Sequence, residues 1–119
     1  MEIKDRIAII TGGGGGIGSA TARKWIAEGA RAVVVADYDE EAATSVAGEL
    51  GCVGVGLDVT DEKALEQLVE ETESTLGPVD IFFSNAGAGA EGGVEASNEA
   101  WQSQWELHVM SHVYAARAV

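Results

Sequence analysis

Unbroken rows of apolar residues alternate along this chain with stretches in which apolar positions return every three or four residues, and turn formers separate the two. Such alternation predicts strand and helix units laid in turn on a parallel sheet. The first row, over residues 6–11, carries Ile7, Ala8, Ile9 and Ile10 without a polar break. Both faces of that strand should therefore be covered, as parallel sheets require. A helix is expected over 16–28, with Ala20, Ala22, Trp25 and Ile26 on its apolar side and Gly29 placed to end it in the left-handed region. The second strand is expected over 31–37, around Val33, Val34 and Val35.

Asp39 is a suitable N-cap for a helix reaching Leu50, with Glu40 and Glu41 at the positive end of the helix dipole and Gly51 as its stop. Strand three is read over 52–58. Thr60 then caps a helix whose Leu65, Leu68, Val69 and Leu76 face inward while Glu66, Glu70, Glu71 and Glu73 face water, and Gly77-Pro78 ends it. Strand four, over 80–84, holds Ile81, Phe82 and Phe83. A small-residue loop over about 85–97 leads to a last helix with Trp101, Trp105, Val109 and Val113. The expected architecture is α/β, a parallel sheet with crossover helices on its faces.

A length of 119 residues allows at most one compact domain. Seven Lys plus Arg against twenty Asp plus Glu give a net charge of −13, which repels phosphate backbones and anionic membrane surfaces. Neither nucleic acid nor a membrane is expected as a partner. The single cysteine, Cys52, has no internal disulfide partner, and the first residues lack an apolar signal core, so the expected compartment is the cytoplasm.

The run Gly12-Gly13-Gly14-Gly15-Gly16 lies between the first strand and the first helix. A tight turn that delivers backbone N–H groups and a helix N-terminus to one point is an anion site suited to a phosphate, and glycines let the backbone approach it closely. A plain loop is the alternative. No lysine follows the run, which argues against a nucleoside triphosphate loop. Asp37 closes the second strand about 20 positions after Gly18, the spacing at which an acid meets the ribose hydroxyls of a dinucleotide. Its carboxylate accepts from a 2′-hydroxyl and repels a 2′-phosphate, and neighbouring Ala36, Tyr38 and Asp39 offer no cation, so NAD is expected over NADP. The alternative is an aspartate that only starts a turn.

Three motifs now stand in order at three strand ends. Thr11-Gly12-Gly13-Gly14-Gly15-Gly16-Ile17-Gly18, Asp58-Val59 and Ser84-Asn85-Ala86-Gly87 together resemble the short-chain dehydrogenase/reductase family, over essentially the whole chain but only the N-terminal part of the family's domain. The resemblance implies that Gly12, Gly14, Gly15, Gly16, Ile17 and Gly18 surround the pyrophosphate and adjoining ribose, and that Asp37 binds the adenosine ribose. It implies further that Asp58 accepts from the adenine amino group, Val59 contacts the ring, and Asn85, Ala86 and Gly87 line the cofactor. For Asp58 an N-cap role is the alternative. The fold that follows is α/β, a Rossmann-type doubly wound parallel sheet of strand order 3-2-1-4 with helices on both faces. The implied activity is hydride transfer between nicotinamide and a small-molecule alcohol or carbonyl substrate, in a protein that is a homo-oligomer when full length. No metal is implied.

The family's Ser and its Tyr-x-x-x-Lys do not occur in this chain: Tyr38 is followed four places on by Ala42, and Tyr114 by Ala118. The 119 residues alone are therefore expected to be inactive. Aligned through Trp101, His108 falls where the family carries an Asn that supports a proton-relay water; an ordinary helix histidine is the alternative, and alignment through Trp105 moves the position toward Met110. Two rival functions remain, an AdoMet-dependent methyltransferase, which shares a glycine-rich first turn and an acid after strand two, and a non-catalytic dinucleotide-binding or interaction module.

Overall fold

The computed structural model describes residues 2–119. Its four strands are β1 (Ile7–Thr11), β2 (Ala32–Asp37), β3 (Val53–Gly56) and β4 (Ile81–Phe83), all parallel, in the order β3-β2-β1-β4. The helices are α1 (Gly16–Ala27), α2 (Glu40–Leu50), α3 (Glu62–Thr75), α4 (Asn98–Trp105) and α5 (Ser111–Ala118), the last two joined by a π-helical turn, Glu106–Met110. The sheet is covered on both faces, which the unbroken apolar rows demand. Ile9, Val34 and Ala36 pack with Leu65, Leu68 and Val69 of α3, and α5 lies against α3 on this side. Ile10, Val33 and Val35 point the other way, toward Ala22 of α1 and Ala43 and Val46 of α2.

Several elements differ from the sequence expectation. The buried positions of α1 are Gly18 and Ala22, with Trp25 and Ile26 half-buried, whereas Ala20 faces solvent. That face follows i, i+4, i+7 and i+8, and Ala20 lies off it. β3 is shorter than expected, because the chain leaves the sheet at Leu57, whose N–H still bonds the Asp37 carbonyl. Asp61, not Thr60, caps α3, its carboxylate accepting from the N–H groups of Lys63 and Ala64. Thr60 instead directs its N–H and hydroxyl to the Asp58 carboxylate. The last helical segment buries Ser111 and Ala115 and packs Leu107, Tyr114 and Ala118 on the core, leaving Trp101, Trp105 and Val109 exposed. A π turn inserts a residue and rotates the inward face, which no regular helical spacing anticipates.

At the far end from the glycine turn, β1 and β4 are joined by Asp80. Its carboxylate accepts from the Ile7 N–H at 2.9 Å and from Arg6 Nη1 at 2.8 Å, while its own N–H donates to the Ile7 carbonyl. The Ile7 hydrogen bond first, and Arg6 second, hold the Asp80 pKa below the ordinary carboxylate value. A pKa depressed by folding gives stability that is present above the unfolded-state value, about 4, and lost as pH falls through the folded-state value. Thermal unfolding followed from pH 6 to pH 2 should therefore show an acid-labile component that Asp80→Asn removes; identical pH profiles would refute this.

Candidate functional site

At the C-terminal ends of the strands, on both sides of the turn that follows β1, a cleft of about 780 Å³ opens. This is where an open parallel sheet changes winding direction and where such sheets hold ligands. Its centre is the glycine turn. Gly12 has φ +64°, and a Cβ on it would stand 2.8 Å from the Ala86 Cα, so the turn and the segment after β4 touch backbone to backbone. A Cβ on Gly18 would collide with the Gly12 carbonyl, so α1 starts directly against the turn.

The N-terminus of α1 is treated differently from the others. Asp39, Asp61 and Ser97 cap α2, α3 and α4 with their side chains, whereas Gly15, at the corresponding place before α1, has none, and the first turn of α1 holds no acid. The first N–H groups of α1 thus face the cleft without a side-chain cap, beside Gly15 and Gly16, whose missing side chains leave open space. That arrangement suits an anion.

On one side of the turn the cleft is walled by Asp37, the last residue of β2, and Tyr38 after it, and by Leu57, Asp58, Val59 and Thr60 after β3. Each Asp37 oxygen already accepts one backbone N–H, Oδ2 from Gly14 at 2.9 Å and Oδ1 from Asp39 at 3.0 Å. The carboxylate is thereby fixed against the turn with lone pairs to spare. Asp58 is exposed and held by Thr60, and Val59 is buried beneath it. Tyr38 and Ile17 stand at the rim, 82% and 72% exposed.

On the other side lie Asn85, Ala86, Gly87 and Ala88, backed by Ser103 and Leu107. Thr11, 1% exposed, is the anchor here: its hydroxyl oxygen accepts from the N–H groups of Asn85 and Ala86, while Asn85 Nδ2 donates to the Thr11 carbonyl at 3.0 Å. Sequence reasoning placed Thr11 in a motif without this role; a hydroxyl closing an otherwise apolar row was its signal.

The structure brings Gly12, Gly15, Gly16, Ile17, Asp37, Asp58, Val59, Asn85, Ala86 and Gly87 to the cleft wall. Gly14 and Gly18 sit behind it, one bonding Asp37 and the other buried under Gly12. His108 is also off the wall, its Nε2 2.9 Å from the Ala88 carbonyl oxygen. The Tyr114 hydroxyl lies 3.4 Å from Glu106 Oε2, and burial first, then the Glu106 and Glu62 charges, raise its pKa. Among the described residues no group of histidine, cysteine and acidic side chains is arranged to hold a metal ion, and no helix is long and apolar enough to cross a membrane.

Parallel sheet, switch-point cleft and uncapped glycine turn together define a Rossmann-type nucleotide-binding unit. The chain belongs to the short chain dehydrogenase family, whose sequence model matches residues 6–119. It is similar to the (+)-cis,cis-nepetalactol synthase NEPS3 of Nepeta racemosa, 46% identical over 72% of this chain and 33% of that protein. It is also similar to the meso-2,3-butanediol dehydrogenase of Serratia marcescens, 39% identical over 86% of this chain and 42% of that one. In three dimensions it matches the 3-ketoacyl-(acyl-carrier-protein) reductase of Brucella melitensis complexed with NADH, with a TM-score of 0.90 and 31% identity over 97% of this chain and 49% of that one. The chain thus spans about a third to a half of the length of these relatives. The family match leaves the methyltransferase alternative without support.

Proposed function

We propose that this chain binds a nicotinamide dinucleotide, NAD(H) in preference to NADP(H), as the cofactor-holding part of an oxidoreductase acting on an alcohol or carbonyl compound. One observation carries the preference. Asp37 is fixed in the cleft at the end of β2, and none of the residues lining that cleft is a lysine or arginine. A carboxylate there accepts from the ribose hydroxyls, while a 2′-phosphate meets negative charge with no cation to offset it. The NADH in the Brucella reductase and the activities for which the relatives are named support the broader reading.

In this reading the pyrophosphate lies against the N–H groups of Gly15, Gly16 and Ile17, with Gly12 giving close backbone access and Gly18 and Gly14 holding the turn in place. Asp58 accepts from the adenine amino group, over Val59. Asn85, Ala86 and Gly87 line the nicotinamide riboside. The bound cofactor supplies the hydride chemistry; the chain's own residues bind it and fix its orientation. Exposed Trp101, Trp105 and Val109 on one helical stretch support self-association of the full protein through that face.

The test is a calorimetric titration of the chain with NADH and NADPH, beside Asp37→Ala. Loss of one hydrogen bond to a charged group corresponds to about 1.5–3 kcal/mol, roughly a tenfold to hundredfold change in affinity. The parent should bind NADH at least about tenfold tighter than NADPH, and the substitution should bring the two within about threefold. Equal affinities in the parent would remove the assigned role of Asp37.

A further inference from the structure

The acid that closes β2 is held from α2 as well as from the glycine turn. Gly14 donates its N–H to Asp37 Oδ2 at 2.9 Å, and the Asp39 N–H donates to Asp37 Oδ1 at 3.0 Å. The Asp39 carboxylate in turn accepts the Ala42 N–H at 3.1 Å, as the cap of α2. The ring of contacts is closed sterically. A Cβ on Gly14 would stand 2.8 Å from the Ala42 Cβ, 3.1 Å from the Ala42 carbonyl carbon and 3.0 Å from Asp37 Oδ2. Gly14 does not take a left-handed backbone, so space rather than conformation requires glycine there. Asp37 is thus pinned on both oxygens, and one of its two donors rests on the Ala42 methyl group.

α2 is itself seated without slack on β3. A Cβ at Gly54 would stand 2.8 Å from the Ala43 carbonyl oxygen and 2.9 Å from the Ala47 Cβ, and one at Gly56 would stand 2.9 Å from the Glu40 Cβ. The helix therefore lies on the β3 backbone at Glu40, Ala43 and Ala47, with Ala42 turned to the glycine turn. In contacts packed this closely, added methyl groups displace their neighbours.

We infer that Ala42 is a specificity-determining positioning residue, whose methyl group seats Gly14 so that the Gly14 N–H holds the Asp37 carboxylate at the cleft, facing the 2′ position of the ribose. This rests on the dinucleotide reading above and deepens it: α2, which contributes no residue to the cleft wall, sets the choice between NADH and NADPH. A larger side chain at position 42 displaces Gly14 and breaks its bond to Oδ2. The carboxylate then turns away, lost as an acceptor for the ribose hydroxyls and no longer repelling a 2′-phosphate. NADH binding falls while NADPH binding holds or rises.

The affinities of the 119-residue chain for NADH and NADPH should be measured by calorimetry for the parent, Ala42→Val, Gly14→Ala, the pair Gly14→Ala with Ala42→Gly, and Asp37→Ala with and without Ala42→Val. Ala42→Val should lower the ratio of NADH to NADPH affinity at least about threefold, as expected for a weakened hydrogen bond to a charged group. Gly14→Ala, which crowds the same contact from the other side, should lower it as far, and the pair, which exchanges the two sizes, should recover part of it. Once Asp37 is alanine, Ala42→Val should not move the ratio. In NMR spectra without ligand, the Gly14 amide proton should shift upfield in Ala42→Val, as it does in Asp37→Ala. Equal losses for both cofactors, an unchanged ratio in both single variants, or a change that persists without Asp37 would overturn the inference. Should Ala42→Val fail to fold, the size exchange carries the same test, and a ratio that the pair does not recover overturns it. Failure of the parent to bind either dinucleotide would instead overturn the reading of the cleft, and this inference with it.

Discussion

Gly18→Ala should abolish dinucleotide binding and lower the thermal stability of the chain, whereas Gly15→Ala should leave the fold intact. The two glycines are three positions apart and serve different ends. A methyl group on Gly18 would collide with the Gly12 carbonyl oxygen and lie 2.8 Å from the Gly13 Cα, and these are backbone atoms that cannot swing aside. Either α1 moves off the turn or the turn opens, and both displace the N–H groups that face the cleft. Overpacking of this kind costs about 1–3 kcal/mol, or more where backbone must move. For a domain of this size that corresponds to a Tm lower by roughly 5–15 °C. At Gly15 a Cβ meets nothing within 4 Å, and its φ of −157° is extended backbone open to any residue. Differential scanning calorimetry of the two variants, with an NADH titration of each, is the check; a Gly18→Ala protein with parental Tm and affinity would show that the helix does not need its close approach to the turn.

The second large effect concerns chemistry. The 119-residue chain should turn over no alcohol or ketone, even where it binds the proposed cofactor. Reduction of a carbonyl needs a proton donor within hydrogen-bond reach of the substrate oxygen, with a pKa near working pH, and such a group is worth about 10²–10⁴-fold in rate. None of the available candidates meets both conditions. Tyr38 is fully at the rim beside Asp37, on the adenosine side of the cleft. The Tyr114 hydroxyl faces Glu106, and burial and the surrounding carboxylates push its pKa up, away from the range a general acid needs. His108 is exposed and does not line the cleft, its Nε2 lying 2.9 Å from the Ala88 carbonyl oxygen. Absorbance at the reduced-ring band of NADH, followed with ketones in the presence of NADH and with secondary alcohols in the presence of NAD⁺, should stay flat. Turnover that vanishes in His108→Ala would contradict this assignment and make that histidine the acid or base.

Much of the fold was legible because burial on both faces leaves a continuous trace. Ile7 to Ile10 and Val33 to Val35 read as strands covered on two sides, and the strand order came with the doubly wound reading of the whole chain. Asp39 and Gly51 act as the expected N-cap and left-handed stop of α2, with Gly51 at φ +66°. Local ambiguity hid the rest. Asp58, Thr60 and Asp61 all carry capping oxygens within four residues, and which one caps α3 depends on where the chain leaves β3. The π turn has no local signature in the sequence: Leu107, Ser111 and Ala115 face inward around it, while the tryptophans whose spacing suggested a regular helix stay exposed.

At the site, the residue types were visible while their mutual contacts were not. The spacing from Gly18 brought out Asp37, but nothing in the sequence indicated that its carboxylate is fastened to Gly14. Thr11 likewise needed the third dimension, since its hydroxyl is used by Asn85 and Ala86, more than seventy positions away.

The most direct test of the dinucleotide reading is an amide-resolved NMR titration of the isotope-labelled chain with NAD⁺. Saturable shifts should appear at Gly15, Gly16 and Ile17 and at Asn85, Ala86 and Gly87, with ADP-ribose displacing the ligand and AdoMet leaving it in place. Absence of shifts at the glycine turn, or saturation of the same amides by AdoMet, would contradict the account.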